Sequence, residues 1–225
     1  MDDLNRKAFG GLLRMMLMLA VLTFLPAWTV HYWQGWLCLF VFFACALGIT
    51  LYLIKYDPML LKRRMSGGAS AEKEKSQKII QSLSAIAFIA MFVVSAFDHR
   101  FMWSVVPAYA VIAGDALIVL GFAIVFWVFK VNSFTSGIIE VAAEQTVIST
   151  GPYGLVRHPM YLGALIMLLS IPIALGSWWG MIALVPMSVV LVWRLLDEEA
   201  FLVRSLPGYM EYRETVRYRL VPFLW

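Results

Sequence analysis

The stretch WQGWLCLFVFFACALGITLYLI, residues 33–54, carries no charged side chain. A helix of this length can cross the roughly 30 Å hydrocarbon core of a bilayer, because an α-helix rises about 1.5 Å per residue. The whole chain of 225 residues is 62% hydrophobic and 14% charged, with a mean hydropathy of +0.80. Soluble domains are nearer 45–50% apolar and about 25% charged. The composition therefore predicts an integral membrane protein rather than an unusually apolar soluble one.

Five more apolar segments accompany this one along the chain. They are Leu12–Val30, Ile79–Phe97, Ser104–Phe129, Tyr161–Leu175 and Trp178–Leu196. The segment Tyr161–Leu175 is short and contains Pro172, so we expect it to tilt, kink or pack inside the bundle. The first segment is too long for a cleaved signal peptide, and Asp2 and Asp3 precede it. The predicted fold is all-α: a polytopic membrane bundle of five to six transmembrane helices.

The distribution of positive charge predicts the orientation. With an even number of spans, 17 of the 18 Lys and Arg residues fall on one side of the membrane, and only Arg100 falls on the other. Positive residues are retained on the cytoplasmic side, and tryptophans gather at the opposite helix ends as an interfacial belt would. We therefore expect cytoplasmic termini in a multi-pass protein, with a prokaryotic plasma membrane as the predicted location.

The chain divides into two predicted regions. Residues 1–130 form four spans with a basic connection at 55–78, whose Gly/Ser-rich part, SGGASAEKEKSQK (66–78), is expected to be a mobile linker without chemistry. Residues 131–225 contain a helical hairpin, 159–196, and most of the remaining polar side chains. The loop 131–160 is too long for a simple connector, which makes it a candidate functional loop.

The start of the fifth apolar segment has the features of an anion-binding helix end. Pro159 suits the first helical turn, so Arg157 or His158 stands at or just before the N-cap. Exposed N–H groups and the Arg157 guanidinium would attract a carboxylate there. Tyr153 and Tyr161 add aromatic faces that attract cations. The group suits a small zwitterion.

A second polar group lies where the last apolar segment ends, with Arg194 one turn before Asp197, Glu198 and Glu199. The acidic run could bind an ammonium or sulfonium group, while Arg194 faces a different anion. Each group alone has an ordinary explanation: Arg157 and His158 as an anchor for lipid phosphate, and the acidic run as a solvated helix end. Because both groups lie at the same membrane face, together they predict one pocket, formed by the 131–160 loop and the C-terminal segment.

Three motifs extend this prediction: GPYGLVRHPMYLG (151–163), WRLLDEEAFL (193–202) and LPGYMEYRETVRYRLVP (206–222). Together they resemble the isoprenylcysteine carboxyl methyltransferase and phospholipid methyltransferase superfamily, integral-membrane enzymes that use S-adenosylmethionine. The resemblance covers residues 130–222. It implies cofactor contacts at Gln145, Thr146, Val147 and Ile148 in a strand-like segment, and at Tyr153, His158, Pro159, Met160, Tyr161 and Glu198 or the adjacent Glu199. The prenylcysteine enzymes have a histidine where this chain has Gln145.

The resemblance also implies roles for these residues. His158 and the helix N-terminus would hold the cofactor's carboxylate, Glu198 its ammonium or a ribose hydroxyl, and Arg194 an anionic acceptor. A neutral thiol or amine acceptor would need a base, for which His158 and Glu198 are the candidates. A carboxylate or thiol on a lipophilic or small molecule is favoured, and a phospholipid amine is possible. The lipid bilayer and this acceptor are the expected partners, with no metal and no nucleic acid.

Two other functional classes remain open. A transport protein would need several ionisable groups within the spans, and only Asp115 is available there. Asp115 lies beside Gly114, so a hydrogen-bonded packing role is as well supported as a substrate contact. An NADPH-dependent membrane reductase is the other alternative, since some sterol reductases share a related C-terminal architecture. Such a reductase would call for a basic pocket for the 2′-phosphate.

Overall fold

The computed structural model describes residues 2–72, 74–142 and 144–225, and every regular element in these ranges is helical. The all-α prediction is confirmed. The α-helices are α1 (Asp2–Ala27), α2 (Trp33–Tyr56), α3 (Pro58–Met65), α4 (Lys75–Phe101), α5 (Ala108–Val131), α6 (Pro159–Ala174), α7 (Leu184–Ser205) and α8 (Tyr209–Thr215). Short 3₁₀ turns cover Gly151–Gly154 and Trp179–Ala183.

Five helical segments are long and apolar enough to cross a membrane, which makes this a multi-pass membrane protein. They lie in α1, α2, α4, α5 and the continuous stretch Trp179–Ser205. The sixth apolar helix, α6, has 16 residues, or about 24 Å, and is too short to cross alone. The predicted five to six transmembrane helices are therefore confirmed.

Two helices extend well beyond the predicted apolar segments. Helix α1 begins at Asp2 rather than Leu12, and its first turns place Lys7 Nζ 2.7 Å from the Asp3 carboxylate. Helix α7 continues to Ser205 rather than ending at Leu196. The acidic run therefore lies inside a helix and is not a solvated helix end. Hydrophobicity marks only the part of each helix that faces lipid, whereas the helical hydrogen bonds continue beyond it.

Helix α6 remains inside the bundle because its backbone touches that of α5. A Cβ added at Gly121 would lie 2.7 Å from the Gly163 carbonyl oxygen, and one at Gly163 would lie 2.8 Å from the Gly121 carbonyl oxygen. A Cβ at Gly114 would lie 2.7 Å from the backbone nitrogen of Ala174. Only glycine permits this approach, so three glycines hold the two helices together along their length.

A polar network ties the loops at one end of the bundle, where α4 ends and α5 begins. The buried Asp98 carboxylate accepts hydrogen bonds from the Ser104 N–H (2.7 Å), the Ser104 hydroxyl (2.6 Å) and the Ser177 hydroxyl (2.5 Å). The Tyr32 hydroxyl donates to the Leu175 carbonyl at 2.5 Å. These bonds satisfy buried polar groups there and link four helix ends.

The connection between α2 and α4, at the other end, contains helix α3 and contacts the loop that follows α5. Asp57 caps α3 by accepting from the Leu60 N–H at 2.9 Å, and Leu60 and Leu61 are buried. The backbone of Gly67 lies against Gly137, where a Cβ on Gly137 would be 2.7 Å from the Gly67 Cα. This connection therefore covers the loop that follows α5.

Candidate active site

A cavity of about 810 Å³ lies between α1, α2, α5, α6 and α7 at this second end. Its size is typical of small-molecule sites. The part nearest the loops, here called the polar end, is lined by Arg64, Tyr153, His158, Tyr161, Arg194 and Glu198. The part deeper in the bundle, here called the apolar chamber, is lined by Leu12, Met15, Phe42, Ile49, Phe122, Val125 and Met167. The cavity thus joins a charged region to a hydrocarbon-lined one.

The C-terminal segment positions the start of α6. The N–H groups of Arg157 and His158 donate to the carbonyls of Tyr218 and Arg219, each at 2.9 Å. His158 is the N-cap of α6, and Pro159 begins the helix, as the sequence predicted. The C-terminal motif therefore fixes the start of α6 through its backbone carbonyls.

The His158 side chain is available to a ligand. It is buried at the cavity wall, and its Nε2 has no hydrogen-bond partner among the described residues. Burial lowers the pKa of His158 to about 4, which outweighs the attraction of the nearby Glu199 carboxylate. The imidazole is therefore neutral at pH 7. An unpaired buried nitrogen carries a desolvation penalty that a ligand hydrogen bond would remove.

Helices α6 and α7 meet in the cavity through a direct side-chain contact. The Tyr161 hydroxyl donates a short hydrogen bond to Oε2 of Glu198. The two segments that the sequence placed in one pocket are therefore adjacent in the fold. The second carboxylate oxygen of Glu198 can still accept a hydrogen bond from a ligand.

Arg194 lines the polar end, but it already has an acidic partner. Its Nη1 lies 2.9 Å from the Glu72 carboxylate and 2.9 Å from the Gln77 side-chain oxygen. The Glu72 side chain is only 1% exposed. Glu72 belongs to the connection for which we expected no chemistry. No motif distinguished it from Glu74, two positions later.

Arg157 and Glu199 pair with each other, an arrangement that we did not expect. Arg157 Nη2 lies 2.8 Å from Glu199, and its Nη1 donates to the carbonyls of Val216 and Arg217. Glu199 also pairs with Arg213 and Arg219 and is absent from the cavity wall. Of the two adjacent glutamates, the structure therefore places Glu198 at the cavity. The charge of Arg157 is neutralised by Glu199, so Arg157 does not add positive charge to the start of α6.

The remaining predicted cofactor residues line the cavity in a group: Gln145, Thr146, Val147, Ile148, Tyr153, Pro159, Met160 and Tyr161. The expected strand-like form of 145–148 is not observed, because these residues have no partner strand. The Gln145 side-chain oxygen instead accepts from the Ala142 N–H at 3.1 Å. The Tyr153 hydroxyl accepts from the Asn132 amide at 2.9 Å, and burial raises the pKa of Tyr153 to about 12.

Sequence reasoning missed Arg64, the cation of α3 that lines the cavity. Its guanidinium lies over the Phe129 ring at 5.4 Å and donates to the Ser136 carbonyl at 2.5 Å. Burial lowers the pKa of Arg64. Among the described residues, no carboxylate lies within 4.0 Å of it. Six other basic residues share this connection, so composition alone did not single it out.

Asp115 lies away from this site. It is buried in α5, is absent from the cavity wall, and neither of its carboxylate oxygens has a partner among the described residues. In the described ranges, no group of three or more His, Cys, Asp and Glu side chains is placed to hold a metal ion.

The comparisons with known proteins match part of the chain. Residues 109–207 match the family described as phospholipid methyltransferase. The match confirms the resemblance to the integral-membrane methyltransferase superfamily and supports a membrane methyltransferase. A further 90-residue match, 33% identical, is to the Delta(14)-sterol reductase TM7SF2 of Mus musculus, and it covers 39% of this chain. The aligned part spans only 22% of that relative's length.

Proposed function

We propose that this protein is an S-adenosylmethionine-dependent methyltransferase that acts on a lipophilic or small acceptor. One observation carries the proposal. The cavity joins a polar end, whose neutral His158 and Tyr161–Glu198 pair lie in the region that matches the family, to an apolar chamber inside the bundle. A polar methyl donor and a hydrophobic acceptor require such a combination.

The polar end fits a zwitterionic donor. The unpaired Nε2 of His158 and the N-terminal N–H groups of α6 are suited to a carboxylate. Glu198 offers a carboxylate oxygen to an ammonium or a ribose hydroxyl. The loop 145–148, together with Tyr153 and Met160, supplies mixed polar and apolar surface for an adenosine group.

Positioning is the main catalytic contribution of these residues. When bound, S-adenosylmethionine supplies an electrophilic methyl group on a sulfonium. The buried walls of the polar end hold the reactants and exclude water, which favours an in-line displacement. Glu198 and Tyr161 set the orientation of one reactant, and Arg194 lies beside them in the same wall.

The acceptor is proposed to place its hydrocarbon part in the apolar chamber. Its reacting group is then a carboxylate or thiol, with a phospholipid amine as the further possibility. A carboxylate needs no proton removal. A neutral thiol or amine must lose one, and the candidate bases are Glu198 and, where its Nε2 does not hold the donor carboxylate, His158.

The two parts of the chain have different proposed roles. We propose that residues 131–225 form the catalytic region and that residues 1–130 form the membrane scaffold. Arg64 and Glu72 belong to the scaffold region by sequence but contribute to the site. The basic connection lies at the cavity end of the bundle, so this end faces the cytoplasm by the positive-inside rule. A prokaryotic plasma membrane is the proposed location.

Calorimetric titration of the purified protein with S-adenosylhomocysteine tests this function. Saturable binding at micromolar concentrations is expected, with a rise in melting temperature. Radiolabelled methyl transfer from the donor into a total lipid extract would then identify the acceptor class. Absence of both binding and transfer would reject the proposal and leave a membrane reductase and membrane transport as the alternatives.

A membrane reductase is the second candidate, because one match is to a protein named as a sterol reductase. Arg64 and Arg194 could contribute to a basic phosphate site in this reading. NADPH and S-adenosylhomocysteine separate the two functions in one thermal-shift experiment. A methyltransferase is stabilised by the second ligand only, and a reductase by the first only.

A further inference from the structure

We propose that Arg64, rather than Arg194, is the cavity residue that binds an anionic group of the acceptor, and that this acceptor is an amphiphile with a carboxylate or phosphate beside its hydrocarbon chain. The inference rests on the proposed function and narrows its substrate class. It also revises the role that the sequence implied for Arg194.

The charge of Arg194 is already compensated. Glu72 and Gln77 hold its Nη1 at 2.9 Å each, and the Glu72 side chain is almost fully buried. An acceptor anion at Arg194 would lie close to the Glu72 carboxylate. Two carboxylates sharing one guanidinium repel each other where water is scarce.

Arg64 has no such partner. In the described part of the chain its recorded contacts are one backbone carbonyl and the face of Phe129. Glu198 is near enough to interact, but lies beyond ion-pair distance, and one of its oxygens accepts from Tyr161. A largely buried guanidinium without a carboxylate partner is unfavourable. A ligand anion would remove that cost.

The position of Arg64 defines the ligand's shape. Its α3 neighbour Leu61 also lines the cavity, as do Leu53 and Phe129, which belong to the same apolar cluster. Arg64 therefore lies where the polar end meets the apolar chamber. A guanidinium binds carboxylate or phosphate through two parallel hydrogen bonds, so an anionic group placed there would direct an attached hydrocarbon chain into the chamber.

Titration with matched short amphiphiles tests this assignment. Octanoate and octyl phosphate are the anionic probes, octanol is the neutral probe, and inorganic phosphate reports on binding without a chain. The wild-type protein, in a neutral maltoside detergent, is expected to bind one of the two anionic probes about tenfold more tightly than octanol. It is expected to bind inorganic phosphate more weakly than octyl phosphate.

Arg64→Gln should lose this preference and keep its affinity for octanol, and Arg64→Lys should retain part of the preference. Arg63→Gln is the matched control, since Arg63 is the neighbouring residue on α3, is absent from the cavity wall, and donates to the Ser133 carbonyl. It should behave as wild type. Melting temperatures of all variants confirm that they are folded.

Three results would overturn the assignment: no anion preference in the wild type, an unchanged preference in Arg64→Gln, or an equal loss of affinity for S-adenosylhomocysteine in that variant. The last result would assign Arg64 to the donor. If the wild type binds octyl phosphate but not S-adenosylhomocysteine, the methyltransferase proposal fails, while Arg64 stands as an anion site.

Discussion

Glu72 and Arg194, separated by 122 positions in the sequence, form an ion pair of 2.9 Å at the wall of the cavity. The pair links the connection after α3 to helix α7. Glu72 also accepts hydrogen bonds from the Gln81 amide at 3.2 Å and the Ile139 N–H at 3.3 Å. One buried carboxylate therefore joins four parts of the chain around the proposed site.

Replacing Glu72 with Gln should destabilise the protein. Removal of one partner from a buried ion pair leaves the other charge uncompensated, and because Gln77 remains bound to Arg194 we expect a loss of about 2 kcal/mol. The measurement is the thermal unfolding midpoint in detergent. Glu74→Gln, at an exposed position two residues away, should leave the midpoint unchanged. Equal midpoints for the two variants would show that the pair contributes nothing.

The adjacent glutamates of α7 should respond differently to the same substitution. Glu198→Gln removes a cavity carboxylate, so affinity for S-adenosylhomocysteine should fall about tenfold. Glu199→Gln removes the shared partner of three arginines, so its unfolding midpoint should fall while the folded protein still binds the ligand. Calorimetry and thermal unfolding measure the two effects. The reverse pattern would exchange the roles of these residues.

The buried His158 should make stability depend on pH below neutrality. Its pKa is about 4 in the folded protein, against about 6.5 in an unfolded chain. Both states are neutral above pH 6.5. As pH falls below 6.5, the unfolded state binds a proton that the folded state excludes, and at pH 5 this costs about 2 kcal/mol.

Unfolding midpoints at pH 7.5 and 5.0 measure this dependence. His158→Gln should lose less stability between the two values than the wild type does. His31→Gln, at an exposed position outside the cavity, should keep the wild-type difference. A wild-type difference retained in His158→Gln would assign the titration to another group.

The contact between α5 and α6 should not tolerate a methyl group. A Cβ at Gly121 would clash with Met167 Cγ and would lie 2.7 Å from the Gly163 carbonyl oxygen. Gly121→Ala therefore forces the helices apart, and overpacking of this kind costs about 1–3 kcal/mol. Gly48→Ala is the control, since nothing lies within 4 Å of its added Cβ. We expect it to be neutral or slightly stabilising, as a helical Gly-to-Ala change usually is.

Much of the fold follows from the sequence. Membrane insertion depends on the summed hydrophobicity of about 20 consecutive residues, which is a local property. The six apolar segments were therefore predicted in number and approximate position. The start of α6 was predicted for a similar reason, because Pro159 restricts its own backbone locally.

Part of the candidate site could also be predicted from the sequence. The motifs around His158 and Glu198 placed both residues in one pocket, and the structure brings them to the same cavity wall. The glycine contacts of α5 and α6 were not predicted, because an isolated glycine in an apolar run does not show which helix it will face.

Tertiary structure alone decided between neighbouring residues of the same type. Arg64 rather than Arg63 and Glu198 rather than Glu199 line the cavity, and Glu72 rather than Glu74 pairs with Arg194. Adjacent helical residues point about 100° apart, so the direction in which each helix packs determines which one enters the site. The two members of each pair are the same type of residue, so only contacts between distant parts of the chain distinguish them.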